Sequence, residues 1–179
     1  MGTEIRLAGI IRESVVDGPG WRFVIFGQGC PHNCEGCQNP ETHDFGGGYI
    51  SDTDRILKAV SEDPLLSGIT LSGGDPFVQA EEFSVLAKGA HDLGLNVVTY
   101  TGWTIEQLLA GMESHPGWRK LLEETDILVD GKFDLSQKSL EVKFRGSRNQ
   151  RVIDAKASIR EGKAVETDFD SIPRYKKAK

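Results

Sequence analysis

Cys30, Cys34 and Cys37 are the residues whose type and spacing most directly imply chemistry. They fall within the segment CPHNCEGC and are all the cysteines of the sequence. Three thiolates held this closely suit a soft metal centre, and the approach through Gly27-Gln28-Gly29 lets the backbone wrap around it without Cβ clashes. A structural zinc site needs four closed ligands, the fourth to come from His32 or His43. His32 is crowded between two cysteines, which leaves His43 as the better candidate. A 4Fe-4S cluster normally takes four cysteines, one per iron. With three, one iron stays open to a substrate or cofactor, which serves an enzyme but not an electron carrier. No convincing Ser/His/Asp triad competes with this reading.

Such a loop needs a frame to position it. Short apolar runs alternate with amphipathic stretches over most of the sequence, which predicts an α/β domain with parallel strands. Runs at Trp21–Phe26, Gly68–Leu71, Leu95–Tyr100 and Ile127–Val129 each lead into a polar or glycine-rich motif. These are the cysteine loop, Ser72-Gly73-Gly74-Asp75-Pro76, Thr101-Gly102-Trp103 and Asp130-Gly131-Lys132. In parallel α/β architectures such loops share one edge, where ligands bind. Helices are predicted from about Ser51 to Val60 with Asp52 or Ser51 as cap, from Ala80 to Leu93, from Thr104 through Leu109, and from Pro116 to Glu124. Further strands are expected near Val142–Phe144 and Val152–Ile153. A complete eight-unit barrel takes about 200 residues or more, so 179 residues allow an incomplete (βα) barrel or an open α/β sheet, in a single domain over 1–179. Its core is expected over about 13–166, with a flexible, solvated tail over about 167–179.

Composition narrows the partners. The net charge of −6 argues against a general nucleic-acid or anionic-membrane binder, since both need a positive field. Clustered cysteines do not suit a secreted disulfide framework. The start MGTEIRL has no apolar targeting segment, the run Phe23–Phe26 is far too short to span a bilayer, and no Asn-x-Ser/Thr sequon is present. The expected setting is the reduced cytoplasm.

The spacing C-x3-C-x2-C after the first predicted strand resembles that of the radical S-adenosylmethionine superfamily, and within it the branch that activates anaerobic ribonucleoside-triphosphate reductase. The resemblance covers about residues 13–166. It rests on DGPG at Asp17–Gly20, C-x-H-x-C-x-G-C-x-N at Cys30–Asn39, SGGDP at Ser72–Pro76, YTGW at Tyr100–Trp103, VDGKF at Val129–Phe133 and NQRVID at Asn149–Asp154. Gly36 stands where many members of the superfamily have an aromatic residue before the third cysteine, a departure that fits this branch.

The resemblance implies a fold of the radical S-adenosylmethionine type and a 4Fe-4S cluster on Cys30, Cys34 and Cys37, whose open iron chelates the amino and carboxylate groups of S-adenosylmethionine. It implies reductive cleavage to methionine and a 5′-deoxyadenosyl radical, which takes hydrogen from a glycine-bearing loop of the reductase. Reduced flavodoxin or a similar donor would supply the electron. The hard chemistry belongs to cluster and cofactor, so no catalytic acid or base is expected. Gly73 and Gly74 would let backbone carbonyls approach the cofactor's amino group, or simply form a βα turn. Asp75 would meet that amino group or cap the following helix. Lys132 beside Asp130 would face the carboxylate, unless the two form a surface salt bridge. Thr99 and Thr101 are further candidate contacts, and Gly36, Cys37 and Gln38 would offer backbone groups to the adenine. DGPG reads as a tight turn that the resemblance places near the incoming glycine loop. Trp21, Trp103 and Trp118 are expected to pack, and His91 and His115 to be surface or internally satisfied. Three other readings stand beside this one. One is an activator of another glycyl-radical enzyme, such as pyruvate formate-lyase; another is a zinc-stabilised binding module on Cys30, Cys34, Cys37 and His43; the third is an electron-transfer protein whose cluster cycles without consuming S-adenosylmethionine.

Overall fold

A computed structural model describes residues 2–177. β1 (Glu4–Ser14) and β2 (Arg22–Gly27) form an antiparallel hairpin, and β3 (Tyr49–Asp52) flanks β1. The chain then alternates through α1 (Thr53–Ser61), β4 (Gly68–Gly73), α2 (Ala80–Asp92), β5 (Asn96–Tyr100), α3 (Ile105–Gly111) and α4 (Pro116–Glu123). It ends with β6 (Ile127–Asp130), β7 (Arg151–Asp154) and α5 (Ala155–Glu161). The strands of the described residues join one sheet in the order β3-β1-β2-β4-β5-β6-β7. Its centre, β2-β4-β5-β6, is parallel, and the outer strands are antiparallel to their neighbours. The fold is therefore a mixed α/β sheet with a parallel core rather than parallel throughout.

The predicted helices form where their caps stand. Asp52 accepts from the Asp54 and Arg55 N–H groups, Thr104 and Gln107 make a reciprocal capping box, and Pro116 opens α4. Strand alternation then sorts the core. Ile25, Ile69, Leu71, Val97, Leu128 and Ile153 point to one face and pack with Ile56, Phe83, Leu86, Leu108 and Leu121 of the helices. Val98, Val129 and Val152 point to the other face, where Phe169 meets them and Phe144 and Ile172 add to the cover. Each of the five α-helices among the described residues contributes to the first cluster, while the residues that cover the second come from the segments around Phe144 and Phe169–Ile172.

One expected strand is absent. Val142–Phe144 forms no strand; it is a bend and turn in which Phe144 has φ 56°. Val152–Ile153 is a strand, β7, but antiparallel to β6. The segment after 166 has packing contacts over its described part. Phe169 is buried, Asn96 Nδ2 donates to Pro173 O at 2.9 Å, and the Tyr175 hydroxyl donates to Asp126 at 2.7 Å. Residues 178 and 179 of the expected tail lie outside the described residues, as does Met1.

Candidate metal and cofactor site

β2 ends at Gly27, and the chain passes directly into the cysteine loop at the carboxyl edge of the parallel strands. Backbone bonds hold the turn: Gly29 N–H donates to Thr42 O at 2.7 Å and Cys30 N–H to His43 O at 3.3 Å. The buried Gln28 amide donates to Glu41 O (3.0 Å) and Asp44 O (2.6 Å), which draws residues 41–44 over the far side of the loop. Inside it, Cys37 N–H donates to Cys34 O at 3.2 Å, and Asn33 and Gly36 take left-handed φ values of 52° and 73°.

Cys30, Cys34 and Cys37 are free, half-buried thiols that open on one cavity, shared with Ser72, Gly73, Gly74 and Thr101. Burial pushes the Cys30 thiol up to about 11 and raises Cys34 as well. Among the described residues, no three His, Cys, Asp or Glu side chains converge as ligands of a single ion. Zinc would draw four donors to within about 2.3 Å of one point. The set Cys30, Cys34, Cys37 and His43 is not arranged that way, although His43 lines the same cavity. A cluster instead spreads its thiolates over separate irons, and three thiols lining one cavity suit it.

The remaining predicted residues divide. Gly73 and Gly74 line the cavity, and their lack of side chains is demanded by the neighbouring backbone. A Cβ on Gly73 would lie 2.6 Å from Gly27 O, and one on Gly74 would lie 2.7 Å from the Gly29 carbonyl carbon. Thr101 also lines the cavity. Asp75 is 2% exposed, and its carboxylate is fully engaged: it accepts from His32 Nε2 (2.7 Å), Gly102 N–H (2.8 Å), Thr101 Oγ1 (2.9 Å) and Phe77 N–H (3.0 Å). Of its two predicted roles, capping is the one this geometry forms.

Thr99 lies away from the cavity. Its hydroxyl pairs with Thr125 at 2.9 Å, on the face that strand alternation turns towards the helices. Asp130 is likewise internal at 1% exposure. It accepts from Ile105 N–H at 2.8 Å and is held by Arg151 at 2.6 Å, and Arg151 also reaches Glu106. Asp130 and Lys132 thus form neither a joint cofactor contact nor a pair with each other. Lys132 is exposed, and its charge lies near enough to Cys34 to oppose the rise of that thiol. Gly36 and Gln38 are exposed, and of that trio Cys37 lines the cavity.

Residues singled out for no role complete the walls. Tyr100, Phe133 and Gln150 line the cavity. The Tyr100 hydroxyl donates to Phe144 O at 2.6 Å, and burial raises its phenol above the ordinary range. Gln150 Oε1 accepts from Gly146 N–H (2.9 Å) and Ser147 N–H (3.1 Å), folding the 131–150 loop over the site. Each lies in a motif visible in the sequence, YTGW, VDGKF or NQRVID, but nothing in the spacing assigned those side chains to the cavity.

A family model described as a 4Fe-4S single cluster domain matches residues 16–153. The anaerobic ribonucleoside-triphosphate reductase-activating protein of Vibrio cholerae is 33% identical over 144 residues, covering 76% of this chain and 89% of that protein. The chain belongs to this family of activating proteins. Its member from Enterobacteria phage T4 is 32% identical (76% and 86% covered), and that from Escherichia coli K12 is 31% identical (77% and 91% covered). The crystal structure of QueE from Escherichia coli aligns over 56% of this chain and 53% of that one with a TM-score of 0.44 and 14% identity, too slight a likeness to carry weight. No helix of the described residues is long and apolar enough to cross a membrane.

Proposed function

We propose that the chain activates anaerobic ribonucleoside-triphosphate reductase by generating a glycyl radical on it, using a 4Fe-4S cluster and S-adenosylmethionine. The observation that carries this reading is a three-thiol set, with no fourth cysteine, opening on one cavity at the carboxyl edge of the parallel strands in a member of this family. When bound, cluster and cofactor would supply the radical chemistry, a one-electron reductive cleavage of a sulfonium directed at the reductase's glycine-bearing loop.

The chain's own residues bind, orient and shield. Cys30, Cys34 and Cys37 would hold the cluster, and with no fourth cysteine in the sequence one iron would be without a protein thiolate. The backbone of Gly73 and Gly74, with Thr101 beside them, would meet the cofactor's methionine end, and the exposed Lys132 would add positive charge nearby. Tyr100, Phe133 and Gln150 close the wall against water. The loop-covered sheet face is read as the inside of an incomplete (βα) barrel, and the working compartment as the cytoplasm, with reduced flavodoxin or a similar donor as the electron source.

Anaerobic reconstitution tests this directly. About four iron and four sulfide per chain are expected, with methionine and 5′-deoxyadenosine released under reductant and a glycyl radical signal on purified reductase. Colourless protein holding about one zinc per chain, or radical formed on pyruvate formate-lyase in place of the reductase, would overturn it.

A further inference from the structure

We propose that Asp75 and His32 form a clasp that fixes the cysteine loop against the ends of β4 and β5, both acting as positioning residues for the cluster rather than as contacts of the cofactor. The functional consequence rests on the cluster reading above; the geometry does not.

His32 lies two residues from Cys30 and two from Cys34, so a hold on its ring restrains the segment that joins those two ligands. Its Nε2 donates to Asp75 at 2.7 Å, with the two side chains 6% and 1% exposed. Its ring stands edge-on to Trp103 with centroids 4.5 Å apart, and a Cβ on Gly102 would lie 2.7 Å from Nε2. The ring is therefore held at its tip and on its side.

Asp75 carries that restraint to two other segments. It accepts from Thr101 and Gly102 after β5 and from Phe77 after β4, while its own N–H donates to Gly29 O at 2.9 Å. One buried carboxylate thus ties together three loops that surround the cavity. With those donors in place its acceptor positions are occupied, which leaves none for a ligand's ammonium group. The Cys34–Cys37 half of the loop closes in a turn of its own, while the Cys30–Asn33 half is anchored to the rest of the fold by Cys30 N–H to His43 O and by the His32 side chain. Metal ligands need such support: losing an outer partner typically costs about 10- to 100-fold in metal affinity or activity.

The test begins with the iron-free full chain. Hydrogen–deuterium exchange of residues 29–37 is compared in the parent, His32→Ala, His32→Gln, Asp75→Asn and the double variant His32→Ala/Asp75→Asn. Exchange should rise about tenfold in His32→Ala and Asp75→Asn, rise no further in the double variant, and return to within about twofold of the parent in His32→Gln, whose amide can donate to Asp75. Exchange in α1 should be unchanged. After reconstitution, the electron paramagnetic resonance spectrum of the reduced cluster should be altered in His32→Ala and restored in His32→Gln. Parent-like exchange in both single variants, additive effects in the double, or equal acceleration in α1 overturns the clasp. So does an Asp75→Asn protein with parent-like exchange and spectrum but a raised KM for S-adenosylmethionine, which would make Asp75 a cofactor contact. Should Asp75→Asn fail to fold, the His32→Ala and His32→Gln pair decides. A parent that binds no cluster sinks the functional reading, while the exchange data still judge the clasp.

Discussion

Gly74→Ala should destabilise the protein before any cofactor is present. The added methyl would sit 2.7 Å from the Gly29 carbonyl carbon and 3.0 Å from Gly29 N, all backbone at the entry to the cysteine loop. No side chain can swing aside, so the end of β4 and the loop must move apart. Two hydrogen bonds span that junction, Gly74 N–H to Gly27 O at 2.8 Å and Asp75 N–H to Gly29 O at 2.9 Å. Losing both costs about 2 kcal/mol, and overpacking adds about 1–3 kcal/mol, for a total of about 3–5 kcal/mol. In a chain of this size that lowers Tm by about 6–20 °C. Two other glycines calibrate the effect. Gly9→Ala meets nothing within 4 Å and should be near neutral. Gly162→Ala is equally open but sits at φ 69°, so it should lose about 1–2 kcal/mol through backbone strain alone. The assay is thermal and urea unfolding of the iron-free proteins. If Gly74→Ala unfolds with the parent and loses only affinity for S-adenosylmethionine in the reconstituted enzyme, the glycine serves ligand approach and the packing account is wrong.

Other outcomes follow from the same geometry. Arg151→Met strands the buried Asp130 and should cost about 3–5 kcal/mol, whereas Glu106→Gln, at the exposed end of the same network, should cost at most about 1 kcal/mol; equal losses by urea denaturation would refute the assignment. His91 bridges Glu124 (2.8 Å) and Asp126 (2.9 Å). Burial alone would lower its pKa, but the bonds to the two carboxylates outweigh burial and raise it. Its stabilisation is complete below the unfolded histidine value of about 6.5 and fades as pH rises through the higher folded value. Asp126 is shifted the other way: burial is outweighed by its bonds to His91 and Tyr175, so its share is present above the ordinary carboxylate range and lost on acidification through the lower folded value. Tm measured against pH should therefore lose its fall above about 6.5 in His91→Gln; an unchanged profile would show that His91 carries no linkage. Serine at Cys30, Cys34 or Cys37 should each abolish cluster retention, while His43→Ala should keep it. Iron content per chain decides, and loss on His43→Ala would restore a four-ligand site.

Much of this was legible because it is local. The cysteine spacing, the caps at Asp52 and Thr104, and the glycine-rich motif after each apolar run place the loops on one edge without tertiary information. What was hidden depends on partners distant in sequence. Asp130 and Lys132 look like a single motif, yet Asp130 turns inward because Arg151, 21 residues away, lies on the adjacent antiparallel strand β7. Thr99 and Thr101 look equivalent, but Thr99 is still within the strand and obeys its alternation, while Thr101 follows the strand's end. β1 escaped detection because its residues alternate only weakly, and Phe144 because a lone aromatic near apolar neighbours reads as a strand although its backbone is left-handed.

The carboxylates at the strand ends illustrate a constraint on how such a cavity can bind anything. Asp75 and Asp130 are where a cationic ligand group would seek a counter-charge, yet each is consumed in joining elements: Asp75 links the cysteine loop to the turns after β4 and β5, and Asp130 links the start of α3 to β7. Freeing either would cost the fold, because a buried carboxylate with fewer donors pays its desolvation uncompensated. The Thr101 hydroxyl is itself spent, donating to Asp75 and accepting from Trp103 N–H. Neither strand-end carboxylate is therefore free at a cavity otherwise lined by the three thiols, the glycine backbone and polar side chains such as Ser72 and Gln150. Backbone reaches a ligand closely only where no Cβ intervenes. Gly73 and Gly74 thus meet a demand that the cavity's construction sets: without Cβ atoms they let β4 close against the cysteine loop while lining the cavity beside the thiols.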